Sequence, residues 1–289
     1  MNLTAIALLV GLCVGSFLNV VIWRLPLMLE RQWRRQAEET LNPDAPAPAA
    51  SEPFNLARPR SACPACLKPI RPWHNLPVIG WLLLRGRCAE CGARIPVRYP
   101  IVEAFTGAVT VLVVSHFGPT LECAGAVLLC WALIALAVID FDHQILPDII
   151  TLPLMWTGLL FSALDNVRGG YVFTTLADLQ SSVFGAMAGY LSLWTVYQLY
   201  RLVTGKEGMG YGDLKLLAGL GAWLGWQMLP VVILLSACAG AVIGILMIVF
   251  LNRDRQIPIP FGPYLAAAGF VALMWGQPLI DSYRRVSGI

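Results

Sequence analysis

Apolar residues in this chain fall into long blocks separated by short polar stretches, with no sustained strand-like alternation. The blocks run 3–22, 101–117, 121–140, 149–164, 181–203, 214–226, 229–251 and 261–276. A helix that crosses a bilayer needs about 20 mostly apolar residues, and several blocks reach or approach that length. The pattern predicts an all-α polytopic membrane protein with about eight transmembrane helices. Composition agrees: mean hydropathy is +0.68 and 13% of residues are charged, too apolar for a soluble domain of this size. No basic residue precedes the first block and no A-x-A site follows it. It reads as an anchor with its N terminus outside, closed by Arg24-Leu25-Pro26, and not as a cleaved signal.

Between the first two blocks lies a long polar insertion. Residues 27–40 are helix-compatible, Asn42 to Pro48 form a Pro/Ala-rich connector, and Ser61 to Tyr99 form a small cysteine-containing domain. Its apolar piece Leu76–Leu84 is too short to span. The domain reading is therefore a first transmembrane helix at 1–23, a cytoplasmic loop at 24–100 and a seven-helix membrane domain at 101–280. Charge sets the orientation. Twelve of the twenty Lys and Arg residues lie between Arg24 and Arg98, with six acidic residues, which marks that segment as cytoplasmic.

Eight spans then place the loops 140–148, 203–213 and 252–260 on the same side. Arg201, Lys206, Lys215, Arg253 and Arg255 agree with that count; Arg168, Arg284 and Arg285 do not. The pairs Gly185/Gly189, Gly221/Gly225 and Gly240/Gly244 have the spacing that lets membrane helices approach closely. No internal repeat is visible, so a transporter built from two related halves gains no support.

Two constellations carry chemistry. Cys63-Pro64-Ala65-Cys66 and Cys88-Ala89-Glu90-Cys91 are two C-x-x-C pairs separated by 21 residues, a spacing that builds a closed tetrahedral structural zinc site. Gly86 and Gly92 suit tight turns beside the second pair. A redox dithiol is the alternative, although a cytoplasmic setting disfavours stable disulfides. Cys13, Cys123, Cys130 and Cys238 are scattered in apolar runs and read as small hydrophobes. His74 lies near the quartet, but a fifth ligand is not needed.

The second constellation is acidic. Asp213 sits in Gly208-Met209-Gly210-Tyr211-Gly212-Asp213-Leu214-Lys215, at the mouth of an apolar run. A carboxylate there is costly and reads as functional. The glycines offer close approach or positive φ. Asp140, Asp142 and Asp148 compete to be its partner; Asp140 directly continues an apolar block, and Asp148 also suits a helix cap. Lys215 could tune Asp213 or snorkel to headgroups. Paired carboxylates share a proton, one activating water and the other protonating a leaving amine. Helix dipoles favour Asp213 as the anion and Asp140 as the acid.

Taken in order, these residues resemble the type IV prepilin peptidases, membrane aspartic proteases with a Gly-x-Gly-Asp signature. The resemblance covers nearly the whole chain. It rests on Gly15-Ser16-Phe17-Leu18-Asn19-Val20-Val21, the cysteine quartet, Arg98-Tyr99-Pro100-Ile101-Val102-Glu103, Asp140 to Asp148, Gly208 to Lys215, and Ile259-Pro260-Phe261-Gly262-Pro263-Tyr264. It implies Asp140 and Asp213 as the catalytic pair, with Gly210, Gly212, Lys215 and Asp148 supporting, and Cys63, Cys66, Cys88 and Cys91 as zinc ligands of a zinc-ribbon-like domain inserted after the first helix.

It further implies a bacterial inner-membrane enzyme. Such an enzyme cleaves the basic leader of type IV prepilins or type II secretion pseudopilins after a glycine, at the cytoplasmic face. It then N-methylates the new terminus, typically phenylalanine, with S-adenosylmethionine. The implied partners are those substrates and the lipid bilayer, with no nucleic acid. No dinucleotide-type glycine fingerprint is present, so methylation follows from the resemblance alone. The alternatives are a peptidase without methyl transfer, a transporter or proton relay on the same carboxylates, and a membrane thiol–disulfide protein.

Overall fold

The computed structural model describes residues 2–42, 54–167, 176–251 and 259–287. Beyond Asn42, the expected Pro/Ala-rich connector lies outside the described residues. Among the described residues the chain is helical, with no strand and two isolated antiparallel bridges. Each of the eight apolar blocks forms a helix. The chain divides into two compact units, Met1–Ser115 and His116–Ile289.

The first unit contains α1 (Leu3–Leu41), the short α2 (Ile79–Leu83) and α3 (Arg98–Phe117). The sequence pattern ended the first helix at Arg24-Leu25-Pro26, yet α1 continues through Pro26 for 39 residues in all. Proline removes one backbone donor, but residues 27–41 are rich in strong helix formers, and Glu30 and Arg34 pair across one turn at 2.9 Å. Small residues then let α1 and α3 pack antiparallel. A Cβ on Gly11 would lie 2.8 Å from the Gly107 Cα, and one on Gly15 would lie 2.7 Å from the Glu103 Cα. Nearer the polar end, Asn19 Nδ2 donates to the Tyr99 carbonyl at 3.0 Å.

The second unit is a six-helix bundle: α4 (Leu121–His143), α5 (Asp148–Val167), α6 (Leu179–Thr204), α7 (Tyr211–Leu224), α8 (Leu229–Leu251) and α9 (Gly262–Ser287). Its centre is α7, which is apolar on every side and therefore buried on every side. Leu214, Leu216, Leu217, Leu220 and Ala222 expose no surface. Its Trp223 indole donates to the Leu154 carbonyl at 2.8 Å, lying across Gly158 of α5.

Two of the three predicted glycine pairs make backbone-to-backbone contact. Gly185 faces the Gly221 carbonyl, and a Cβ on Gly189 would sit 2.6 Å from the Leu217 carbonyl. Gly225 also supplies a positive φ of 81° at the end of α7. The third pair differs: Gly240 and Gly244 meet only side chains, at ordinary van der Waals distance.

Among the described residues, six helices are long and apolar enough to cross a membrane, namely α1, α3, α4, α5, α8 and α9. The remaining two predicted spans fall short of that test. α6 has the length but no stretch of it is apolar enough, and α7, with 14 residues, is about 21 Å long against a hydrocarbon core of about 30 Å.

Candidate active site and metal centre

Asp213 is the third residue of α7, 8% exposed, and its backbone N–H donates to the Gly210 carbonyl at 3.3 Å. Asp140 lies in the last turn of α4, 5% exposed. The bundle brings the two carboxylates together, close enough for the charge on Asp140 to act on Asp213. Asp142 and His143 follow on the exposed end of α4.

Their surroundings are unequal. Asp140 Oδ2 accepts the N–H of Gly262, the first residue of α9, at 2.9 Å. Asp213 Oδ1 is buried and has no hydrogen-bond partner. The dipoles of α4 and α7 alone favour a negative Asp213. The fold adds a third helix, because Asp140 caps the start of α9, where an N–H without an intrahelical partner and the positive helix end stabilise an anion. Hydrogen bonding thus favours the reverse assignment: Asp140 charged, Asp213 carrying the shared proton. Gly262 was not legible as a site residue. Its signal was the Gly262-Pro263 pair opening an apolar run, since proline suits the first turn of a helix.

The glycines before Asp213 act by close approach, not by positive φ. A Cβ on Gly212 would lie 2.6 Å from the Leu146 Cβ, and one on Gly208 would lie 2.6 Å from the Tyr200 ring. Gly210 has an ordinary extended backbone, φ −78° and ψ 147°, and no atom crowds it within 3.9 Å. Asp148 begins α5 and Lys215 follows Asp213 on α7. The Lys215 Nζ contacts both Asp148 oxygens at 2.7 Å. The lysine therefore ties α5 to α7 and spends its charge on Asp148.

In the first unit the four cysteine sulfurs lie within 4.8 Å of one another. Each pair sits on a knuckle of the same design. Cys63 N–H donates to the Lys68 carbonyl at 3.0 Å and Leu67 N–H to the Cys63 carbonyl at 2.8 Å. In the second knuckle Cys88 pairs with Ala93 at 2.8 Å and Gly92 with Cys88 at 3.0 Å. Gly92 and Leu67 hold the equivalent left-handed position, at φ 72° and 59°. Gly86, at φ 66°, turns the chain into the second knuckle against Trp81.

The donor set fits a tetrahedral metal. Zinc–sulfur bonds of about 2.3 Å place sulfurs about 3.8 Å apart, and Cys63 Sγ and Cys91 Sγ are 3.8 Å apart. Without a cation the cluster is electrostatically divided. Backbone N–H groups of Cys66 and Ala65 draw the Cys63 thiol down to about 6. For Cys91 the Ala93 N–H also acts downward, but burial and the three other sulfurs outweigh it and push the thiol up to about 11. Four thiolates coexist only around a positive ion. No side chain of His74 enters this cluster.

Comparison with known proteins adds a family. Residues 9–117 match the family model described as the bacterial peptidase A24 N-terminal domain, and residues 127–245 match the type IV leader peptidase family. A prepilin leader peptidase/N-methyltransferase of Stutzerimonas stutzeri is 52% identical, covering 96% of this chain and 92% of the relative. Proteins of the same name from Pseudomonas aeruginosa and Aeromonas salmonicida are 50% and 51% identical, covering 97% and 96% of this chain and 93% of each relative. No solved structure matches the chain significantly.

Proposed function

The chain belongs to the type IV leader peptidase family, and we propose that it removes the leader peptide of type IV prepilins, cutting after a glycine and N-methylating the amine it exposes. The observation that carries the hydrolytic half is the unequal carboxylate pair. Asp140, held by the Gly262 N–H, acts as general base: it takes a proton from water as the water oxygen attacks the scissile carbonyl. Asp213, whose buried Oδ1 lacks a partner, acts as general acid. Its proton passes to the leaving nitrogen as the C–N bond breaks. The pair ends with its proton exchanged between partners, and water resets it.

On this reading the seven helices from 101 to 280 form the peptidase domain, 1–23 the first membrane span, and 24–100 a cytoplasmic loop carrying the metal centre at 61–99. Cys63, Cys66, Cys88 and Cys91 would hold zinc, which when bound fixes the two knuckles as a unit and is closed to chemistry. S-adenosylmethionine, when bound, would supply the methyl group taken up by the freed amine. The density of Lys and Arg in 24–100 supports an active site on the cytoplasmic side of the bacterial inner membrane. Type II secretion pseudopilins, which share a basic leader followed by an apolar helix, are substrates of the same kind.

The test is a mass measurement on purified protein with a prepilin, with and without the methyl donor. Loss of the leader in both arms, and a further methyl mass only with the donor, is the expected result. Leader removal at a normal rate by Asp213→Ala would reject the carboxylate mechanism.

A further inference from the structure

The apolar segment Leu76–Leu84 is too short to span a bilayer, and α2 leaves much of it uncovered. Ile79, Leu82 and Leu83 are 54%, 60% and 71% exposed, on one face at the i, i+3, i+4 spacing of a helix. The other face packs inward. Gly80 is buried against the His74 carbonyl, and the Trp81 indole donates to the Ile95 carbonyl at 3.2 Å.

Depth is fixed by a contact with a membrane-crossing helix. The Val78 N–H donates to Glu103 Oε2 at 2.7 Å, and Glu103 of α3 lies beside Gly15 of α1. Gly15 is seven residues inside the apolar run that ends at Ile22, or about 10 Å along a helix. Val78 is held there at φ 59°, unfavourable for a β-branched residue and sustained only by its surroundings. The backbone is also prepared for a dry setting. N–H groups of 79, 80, 82, 84, 85, 86 and 87 donate to nearby carbonyls within the segment 76–87, residue 78 uses Glu103, and Pro77 has none. Lipid tolerates short non-spanning backbone only where such groups are satisfied.

We propose that Leu76–Leu84 is a re-entrant element. It dips the metal-bearing domain into the bilayer alongside α1 and α3, with Ile79, Leu82 and Leu83 among the acyl chains. α3 carries an exposed apolar face of its own, where Ile101 and Phe105 are 59% and 57% exposed. Exposed Arg85 and Arg87 follow directly, where cations meet lipid phosphates. The metal domain is then embedded at its tip and not free in the aqueous phase.

A photoreactive benzophenone residue placed at Leu82 of the full-length protein tests this, in nanodiscs of phosphatidylethanolamine and phosphatidylglycerol. Phe105 serves as the lipid-facing reference. Leu41, at the polar end of α1, serves as the aqueous one. Zinc content of each variant shows that the domain is intact. The expected outcome is a lipid adduct at Leu82 as abundant as at Phe105 and absent at Leu41. Adducts at Leu82 to a second copy of the chain or to another segment of this one, or no lipid adduct in a zinc-replete protein, would overturn the proposal.

Discussion

The metal centre and the aspartate pair face the same electrostatic problem and solve it differently. Both crowd like charges. At the cysteines a bound cation would relieve the excess, and the four sulfurs are set on two matching knuckles to receive one. At the aspartates one retained proton would relieve it, and the environment is unequal: a backbone N–H for Asp140, an unpaired oxygen for Asp213. Symmetry makes a closed structural site. Asymmetry makes a site able to move a proton.

That contrast fixes the effects of substitution. Asp140→Asn and Asp213→Asn should each lower leader cleavage by about 10⁴-fold, near the upper range for a lost acid or base. The double variant should be little worse, because the pair acts as a unit. The protein should remain folded and metal-loaded, as read by cleavage kinetics and metal analysis. Cys63→Ser should do the opposite. It removes a ligand, releases the metal and unfolds the 61–94 segment, seen as faster amide exchange there, while α4 to α9 keep their protection.

Acid should separate the sites as well. Cys63 is drawn from the ordinary thiol value of 9.0 down to about 6 by backbone donors; its stabilising contribution is full above the higher value, declines across neutral pH and is lost as pH falls through the lower one. Metal binding demands the remaining deprotonations too, so bound metal should fall steeply on acidification, measured by equilibrium dialysis.

Gly262→Ala probes the asymmetry with a smaller step. Its Cβ would lie 2.6 Å from Asp140 Oδ2, and displacing that carboxylate by about an ångström should cost about 10²-fold in rate with little change in thermal stability. Smallest are packing and surface effects. Gly185→Ala, facing the backbone of Gly221, should destabilise by about 1–3 kcal/mol as an overpacked contact. Gly240→Ala should be near neutral by thermal unfolding in detergent. Lys215→Met should cost under about 1 kcal/mol, since Asp148 is about half exposed and such pairs are weak.

Legibility in the sequence follows range. The metal centre is local: each knuckle is a six-residue pattern, so cysteine spacing and Gly92 announce it. Apolar blocks announce the helices. What escaped the sequence depends on distant partners. Gly262 meets Asp140 across 122 positions, a contact that the dipole argument for Asp213 as the anion could not weigh. The passage of α1 through Pro26 depends on the polar stretch beyond it, which block hydrophobicity does not weigh. Gly240 and Gly244 carry the same spacing as Gly185 and Gly189, and only the neighbouring helices distinguish them.

The brevity of α7 has a consequence for selection. On the proposed function, a helix of 14 residues, shorter than the hydrocarbon core, would hold Asp213 below the level of the headgroups. A peptide bond reaches that carboxylate only if its own chain carries it to that depth. Recognition would then be a matter of length: the distance from a substrate's last charge to its cleavage point would be measured against the membrane, much as a step gauge sorts pegs by height.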